Sequence, residues 1–162
     1  MRQPLSLKAR AVALLSRREH SRLELTRKLS AHAEDADVLS RLLDDLTREG
    51  WLSDERYAQS LVHRRASTHG SARIASELRL GGVSDTAISD IRQTLRESEY
   101  DRARVVWQKK FGVAPVDRLA FGKQARFLAG RGFNNDVIYR VIGDAEAFDD
   151  AADVSSDDSF ER

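Results

Sequence analysis

SDERYAQSLVHRR, residues 53–65, decides the fold, because its pattern is written three times. A capping serine, acids in the first turn, an apolar stripe and closing arginines describe one amphipathic helix. SLKARAVALLSRR, residues 6–18, fills the same slot upstream, and YDRARVVWQKK, residues 100–110, fills it downstream. Leu15, Leu61 and Val106 recur at intervals of 46 and 45 residues, each followed three residues later by a cation: Arg18, Arg64 and Lys109. Leu29, Leu78 and Leu128 recur at 49 and 50, as do Leu39, Ile88 and Ile138. Periods of this size mark repeats whose stacked units share a core.

Working outward, helix signals are dense and strand signals absent. Ser21 with Glu24 reads as a capping box before Leu25 and Leu29. Asp35 or Asp37 opens a helix bearing Val38, Leu39, Leu42, Leu43 and Leu46, which Gly50 stops. Ile74 and Leu78 mark a helix ended by Gly81 and Gly82; Ser84 or Asp85 starts the next, with Ile88, Ile91 and Leu95 inward. A third unit opens near Ser98 with Tyr100, Ala103, Val106, Trp107 and Phe111. Leu119, Phe121, Phe127 and Leu128 follow, then a last helix after Asn134 or Asn135 with Val137, Ile138, Val141 and Ile142. The expectation is an all-α fold of nine helices, as three tandem three-helix repeats in an elongated, curved array. The repeats span residues 1–50, 51–97 and 98–143; residues 144–162 form an acidic tail expected to be disordered.

The chain has 162 residues, 41% hydrophobic and 33% charged, with no cysteine, which excludes a disulfide framework or a cysteine-based zinc site. No apolar run approaches the roughly 18 residues of a membrane span. The N-terminus lacks an uninterrupted apolar signal core, so a cytoplasmic setting is expected. The net charge of +1 hides an asymmetry: residues 1–143 carry +8 and residues 144–162 carry −7. A basic body suits an anionic partner, and the tail could imitate a phosphate backbone.

No catalytic set survives inspection. His63 and His69 are six apart and share no helical face; His20 and His32 stand alone. Asp44 and Asp45 sit on a solvated face, and no GxxxxGK[ST] phosphate loop exists. Neither a metal nor a cofactor is expected, and the chain reads as a binder rather than an enzyme. Trp51, after Gly50, is expected to pack back into the junction between units, as are Val83 and Phe133 after their own helix-stop glycines. The repeated cations Arg64, Arg65, Lys109 and Lys110, extended by Arg73, Lys123, Arg126 and Arg131, are candidates for phosphate contacts or an acidic protein groove.

GWLSDERYAQSLVHRR, Gly50 to Arg65, resembles the signature of the RecX regulatory family: glycine, aromatic, aliphatic, any residue, aspartate, then an aromatic–alanine pair and trailing arginines. Gly50, Trp51, Leu52, Asp54, Tyr57 and Ala58 carry the match. SRLELTRKL (21–29), the run from Gly70 through RIASEL to Val83, and FLAGRGF (127–133) resemble further family segments in the right order. The resemblance implies an all-helical, non-enzymatic regulator. It would bind the RecA recombinase and its filament on single-stranded DNA, lie in the filament's groove, and inhibit ATPase, strand exchange and coprotease activity. DNA repair and the SOS response would be modulated in consequence. Without the resemblance, a plain helical DNA-binding protein or a protein-only adaptor remains open. A stacked array closes its own core, so a monomer is expected.

Overall fold

The structure, a computed structural model, describes residues 5–143, so the tail expected at 144–162 lies outside the described residues. Every regular element described is helical: α1 (Leu7–Leu15), α2 (Arg22–Leu29) with a 3-10 turn (Ser30–His32), α3 (Ala36–Arg48), α4 (Asp54–Arg65), α5 (Ser71–Leu80), α6 (Asp85–Lys110), α7 (Arg118–Gly130) and α8 (residues 135–143). The described residues therefore hold eight α-helices where nine were expected. The helix expected to start near Ser98 is fused to the one before it, giving a single 26-residue α6 about 39 Å long. Nothing between Asp85 and Lys110 breaks a helix: there is no glycine or proline. Ser98 does not cap; its hydroxyl donates back to the Leu95 carbonyl at 3.4 Å.

Two compact units result, residues 5–64 with 76–88, and residues 65–75 with 89–143. In the first unit, Ser6, Ser21 and Asp35 cap α1, α2 and α3 through side-chain oxygens that accept from Ala9, Glu24 and Val38 N–H. Ala11, Leu25, Leu29, Leu39, Leu43, Leu46 and Leu52 form its buried cluster. In the second unit, Ala103, Val106, Trp107, Leu128, Phe133, Val137, Ile138, Val141 and Ile142 form another. Buried Gln124 joins its parts, accepting from Trp107 Nε1 at 2.8 Å and donating to the Val113 carbonyl at 3.1 Å.

Leu119 and Trp51 are exposed, and of the two Trp51 was expected inside. Leu119 is 77% exposed, because the inward face of α7 runs through Gln124 and Leu128, and Leu119 falls off it. Trp51 is 45% exposed. After Gly50 (φ +81°), both Trp51 N–H and Leu52 N–H reach the Leu46 carbonyl, at 2.9 and 3.1 Å. Leu52 then enters the core and Trp51 is turned out. At the matching turns one residue does both jobs: Val83 N–H bonds Leu78 O, Phe133 N–H bonds Leu128 O, and both side chains are buried.

The signature aspartate has a structural task that its own helix does not reveal. Asp54, on α4, accepts the Arg22 backbone N–H at 2.7 Å, capping the start of α2 from 32 residues away. Moving Asp54 forward by the 45-residue period reaches Glu99, and moving Arg22 forward by 49 reaches Ser71. The contact moves with them: Glu99, 1% exposed on α6, accepts from Ser71 N–H at 3.0 Å and from the Ser71 hydroxyl. Asn134 Nδ2, at the start of α8, donates to the same carboxylate at 2.7 Å. One turn on, Arg102 donates to the Ala66 and His69 carbonyls beyond the end of α4, at 2.9 and 2.7 Å. Burial lowers the Arg102 pKa, and the nearby Glu99 opposes that shift. Gly70 and Gly132 touch beside this site: a Cβ on Gly70 would collide with the Gly132 backbone, and one on Gly132 (φ +84°) with Arg73.

Glu99→Ala strands buried donors on Ser71 and Asn134, so unfolding free energy should fall by about 3 kcal/mol. Glu99→Gln keeps acceptor oxygens and should cost about 1 kcal/mol. Urea midpoints at unchanged m-value would show this; equal midpoints for the two variants would contradict the capping role.

Candidate functional site

The predicted cations have different fates. Arg18 is structural: it donates to the Glu19 carbonyl at 2.8 Å and to the Glu24 carboxylate at 2.9 Å. Burial works to raise the Glu24 pKa, but the Arg18 hydrogen bond and charge, with smaller help from His20 and Ser21, together outweigh it, and the result is a lowered value. Arg64, in the first unit, is exposed and folds back onto the Ser60 carbonyl at 3.3 Å. Arg65 and Arg73 are exposed in the second unit, Arg73 with its backbone against Gly132.

The remaining candidates gather. Lys123, Phe127 and Arg131 lie four residues apart and so share one side of α7. Arg131 places its guanidinium carbon 5.1 Å from the Phe127 ring centroid, and Lys110, from the end of α6, places Nζ at 5.8 Å. Phe111 fixes the ring from the edge at 5.4 Å. Lys109 and Arg126 are exposed on neighbouring positions. Two cations, Lys110 and Arg131, thus flank a half-buried aromatic, while the Arg126 guanidinium lies back over Gly122. Lys109, Lys110, Lys123, Arg126 and Arg131 are all candidates from the sequence, and of these the structure brings Lys110 and Arg131 to one ring. Phe127 was given no site role by the sequence, and its place beside Lys110 depends on how α6 meets α7.

A second basic feature was missed. An open cleft of about 350 Å3 in the first unit is lined by Arg10, Arg17, Lys28 and His32 over Leu14 and Leu29, with no acidic residue in its wall. Part of the signal was available: Arg10 on α1 and Arg17 in the turn just past its end are seven apart, and Lys28 and His32 are four apart across α2 and its 3-10 turn. Among the described residues no group of three or more His, Asp or Glu could hold a metal ion, and no helix is long and apolar enough to cross a membrane.

Comparison with known proteins gives a consistent family. Residues 53–90 match the model of the second three-helix domain of RecX, and residues 97–142 that of the third. The Regulatory protein RecX of Ralstonia nicotianae is 50% identical over 152 residues, covering 94% of this chain and 96% of its own. That of Leptothrix cholodnii is 46% identical, covering 87% and 90%. A crystal structure of RecX from Lactobacillus salivarius superposes with a TM-score of 0.72 at 21% identity, covering 87% of this chain and 95% of its own, a likeness of fold.

His20 supplies a pH test of the first unit. It is buried with Nδ1 3.0 Å from the Arg18 carbonyl; burial, reinforced by the Arg18 charge, lowers its pKa below the ordinary 6.5. The unfolded chain then takes up a proton that the folded chain refuses. Stability is full above pH 6.5 and declines as pH falls through the folded value. Thermal midpoints between about pH 8 and pH 5 should show this, and His20→Gln should flatten the profile.

Proposed function

The chain belongs to the RecX family, and from that premise we propose that it regulates the RecA recombinase by binding rather than by catalysis. It engages the recombinase and its filament on single-stranded DNA, along the filament's groove, and inhibits ATP hydrolysis, strand exchange and coprotease activity. Homologous recombination, DNA repair and the SOS response are modulated as a result. The protein works as a cytoplasmic monomer, its three repeats spanning residues 1–50, 51–97 and 98–143, and needs no cofactor.

One observation beyond family carries the reading: Lys110 and Arg131 are set against the Phe127 ring, with Lys109, Lys123 and Arg126 exposed on the same two helices. Cations without interleaved carboxylates suit a polyanion, and they contact it through phosphates rather than base edges, so sequence preference is weak. Arg65 and Arg73, exposed in the second unit, and Arg64, exposed in the first, remain separate candidates. A ligand that bridges several protomers gains from effective concentration and acts below one per protomer. Inhibition further requires that it bind a filament state poor in strand exchange better than the active one.

Titrating the protein into RecA filaments on single-stranded DNA should suppress ATP hydrolysis at about one molecule per ten protomers. An unchanged rate at that ratio would sink the regulator reading. Replacing Lys109 and Lys110 with Glu should lower the slope of log affinity against log salt by about 1 to 2; an unaltered slope removes both from the phosphate contacts.

A further inference from the structure

The first unit is electrically balanced, and most of its cations are occupied. Residues 5–64 with 76–88 hold twelve Lys/Arg and twelve Asp/Glu. Lys8, Arg18, Arg22, Arg48, Arg56 and Arg79 each pair with a carboxylate of the same unit. Arg27, Arg41 and Arg64 donate to backbone carbonyls. The other three, Arg10, Arg17 and Lys28, have no carboxylate partner among the described residues, and all three line the cleft formed by α1 and the end of α2. The imidazole of His32 stands in the same wall as a further donor. In a unit whose charges balance, this is a local positive site that bulk composition does not explain.

The cleft has a floor as well as a charge. Leu14 and the buried Leu29 form it, and Leu5, 61% exposed, stands at its edge. Arg10 is already held, its Nε donating to the Leu5 carbonyl at 3.2 Å, which leaves its terminal nitrogens to a ligand. Arg17 and Lys28 lie at the ends of α1 and α2, where the helix dipole alone favours a cation. That reason does not extend to Arg10, which sits in the N-terminal half of α1, nor to an open aliphatic floor.

The floor selects the kind of anion. Apart from His32 no aromatic ring lines the cleft, so a nucleotide base finds no stacking platform, while an aliphatic side chain finds an apolar contact. Arg10 and Arg17 are seven residues apart, roughly 10 Å along the α1 axis. An extended peptide rises about 3.3 Å per residue, so acids three positions apart span that distance. The volume, about 350 Å3, is near the lower end for ligand clefts and admits a few side chains rather than a folded face.

We propose that this cleft docks an acidic peptide segment of a partner protein, with carboxylates on Arg10, Arg17 and Lys28 and an aliphatic side chain on Leu14 and Leu29. Its recognition element is short and linear: two acids about three residues apart with a leucine-like residue between them. The site shares no residue with the Lys110, Phe127 and Arg131 group and does not rest on the function proposed above, so either can fail without the other.

The probe is a capped peptide, Glu-Asp-Leu-Leu-Asp-Glu, titrated into the full chain while backbone amide resonances are followed. Those of residues 10–17 and 28–32 should move saturably, and the affinity should fall at about 0.5 M salt. Arg17→Glu with Lys28→Glu should weaken binding about tenfold. Both side chains are exposed and lack a carboxylate partner among the described residues, so the urea midpoint should stay that of the parent. The milder Arg17→Gln with Lys28→Gln should weaken binding about threefold, and it decides the matter if charge reversal lowers the midpoint. Arg104→Glu with Arg118→Glu, exposed in the second unit, changes net charge equally and should leave the affinity unaltered. A peptide with serines in place of its leucines should bind about fivefold more weakly. Equal losses from the two charge reversals would overturn the site in favour of net charge, and equal affinity for the serine peptide would remove the floor from it. Resonances that stay still, or move only elsewhere, would overturn it outright. A six-residue oligothymidylate that moves the same resonances at equal or lower concentration would reassign the cleft to nucleic-acid phosphate.

Discussion

A helix that begins inside a protein presents N–H groups with no partner in their own helix, and something outside must accept from them. Both units answer this with a carboxylate from another helix: Asp54 receives Arg22 N–H, and Glu99 receives Ser71 N–H. The acid also meets the positive end of the helix dipole, so charge and hydrogen bond act together. In the second unit the demand is greater because the carboxylate is buried. A buried carboxylate is costly unless several donors converge on it, and Ser71 and Asn134 provide them. The starts of α5 and α8 are thereby fixed to α6. Arg102, three residues along, binds carbonyls beyond the end of α4, where partial negative charge collects. The Gly70–Gly132 contact lets the backbones meet just past the end of α7, and Gln124 ties α7 itself to Trp107 on α6.

Helix existence was legible because the apolar stripes are regular and the caps lie where Ser6, Ser21 and Asp35 predict them. The fusion through Ser98 was not, for a physical reason. A repeat period locates equivalent residues, but only a breaker or a cap separates helices, and a serine serves equally as a cap or as a helical residue bonded back to a carbonyl. Asp54 shows the same ambiguity. It reads as favourable within the first turn of its own helix, and it is; its bond to Arg22 becomes visible only when α2 and α4 are placed together. The fate of Trp51 is decided by which of two consecutive residues satisfies the helix end and which fills the core, a choice that a glycine–aromatic–aliphatic run leaves open.

Repetition was a sound guide to where cations lie and a poor guide to what they do. Arg18, Arg64 and Lys109 occupy equivalent positions, yet Arg18 is spent on Glu24 and Glu19, and Arg64 folds onto its own helix. The difference lies in the neighbours: a nearby carboxylate converts a surface cation into a strut, and α2 supplies one as Glu24. The end of α6 instead faces Phe127, which weakly favours a cation and leaves its hydrogen-bond donors open.

That aromatic centre has a further consequence. A purely cationic surface binds any polyanion, with affinity that collapses as salt rises. Lys110 and Arg131 are held over a Phe127 ring that Phe111 keeps in place, so each begins partly ordered and would lose less side-chain entropy on meeting an anion. The ring also adds a contact that salt does not screen. On the function proposed above, a ligand carrying both negative charge and flat groups, such as unpaired nucleic acid, would meet both components at once. A simple counterion meets only one. Selection between such ligands then depends on length and tethering, because each additional pairing is gained without a further loss of translational freedom.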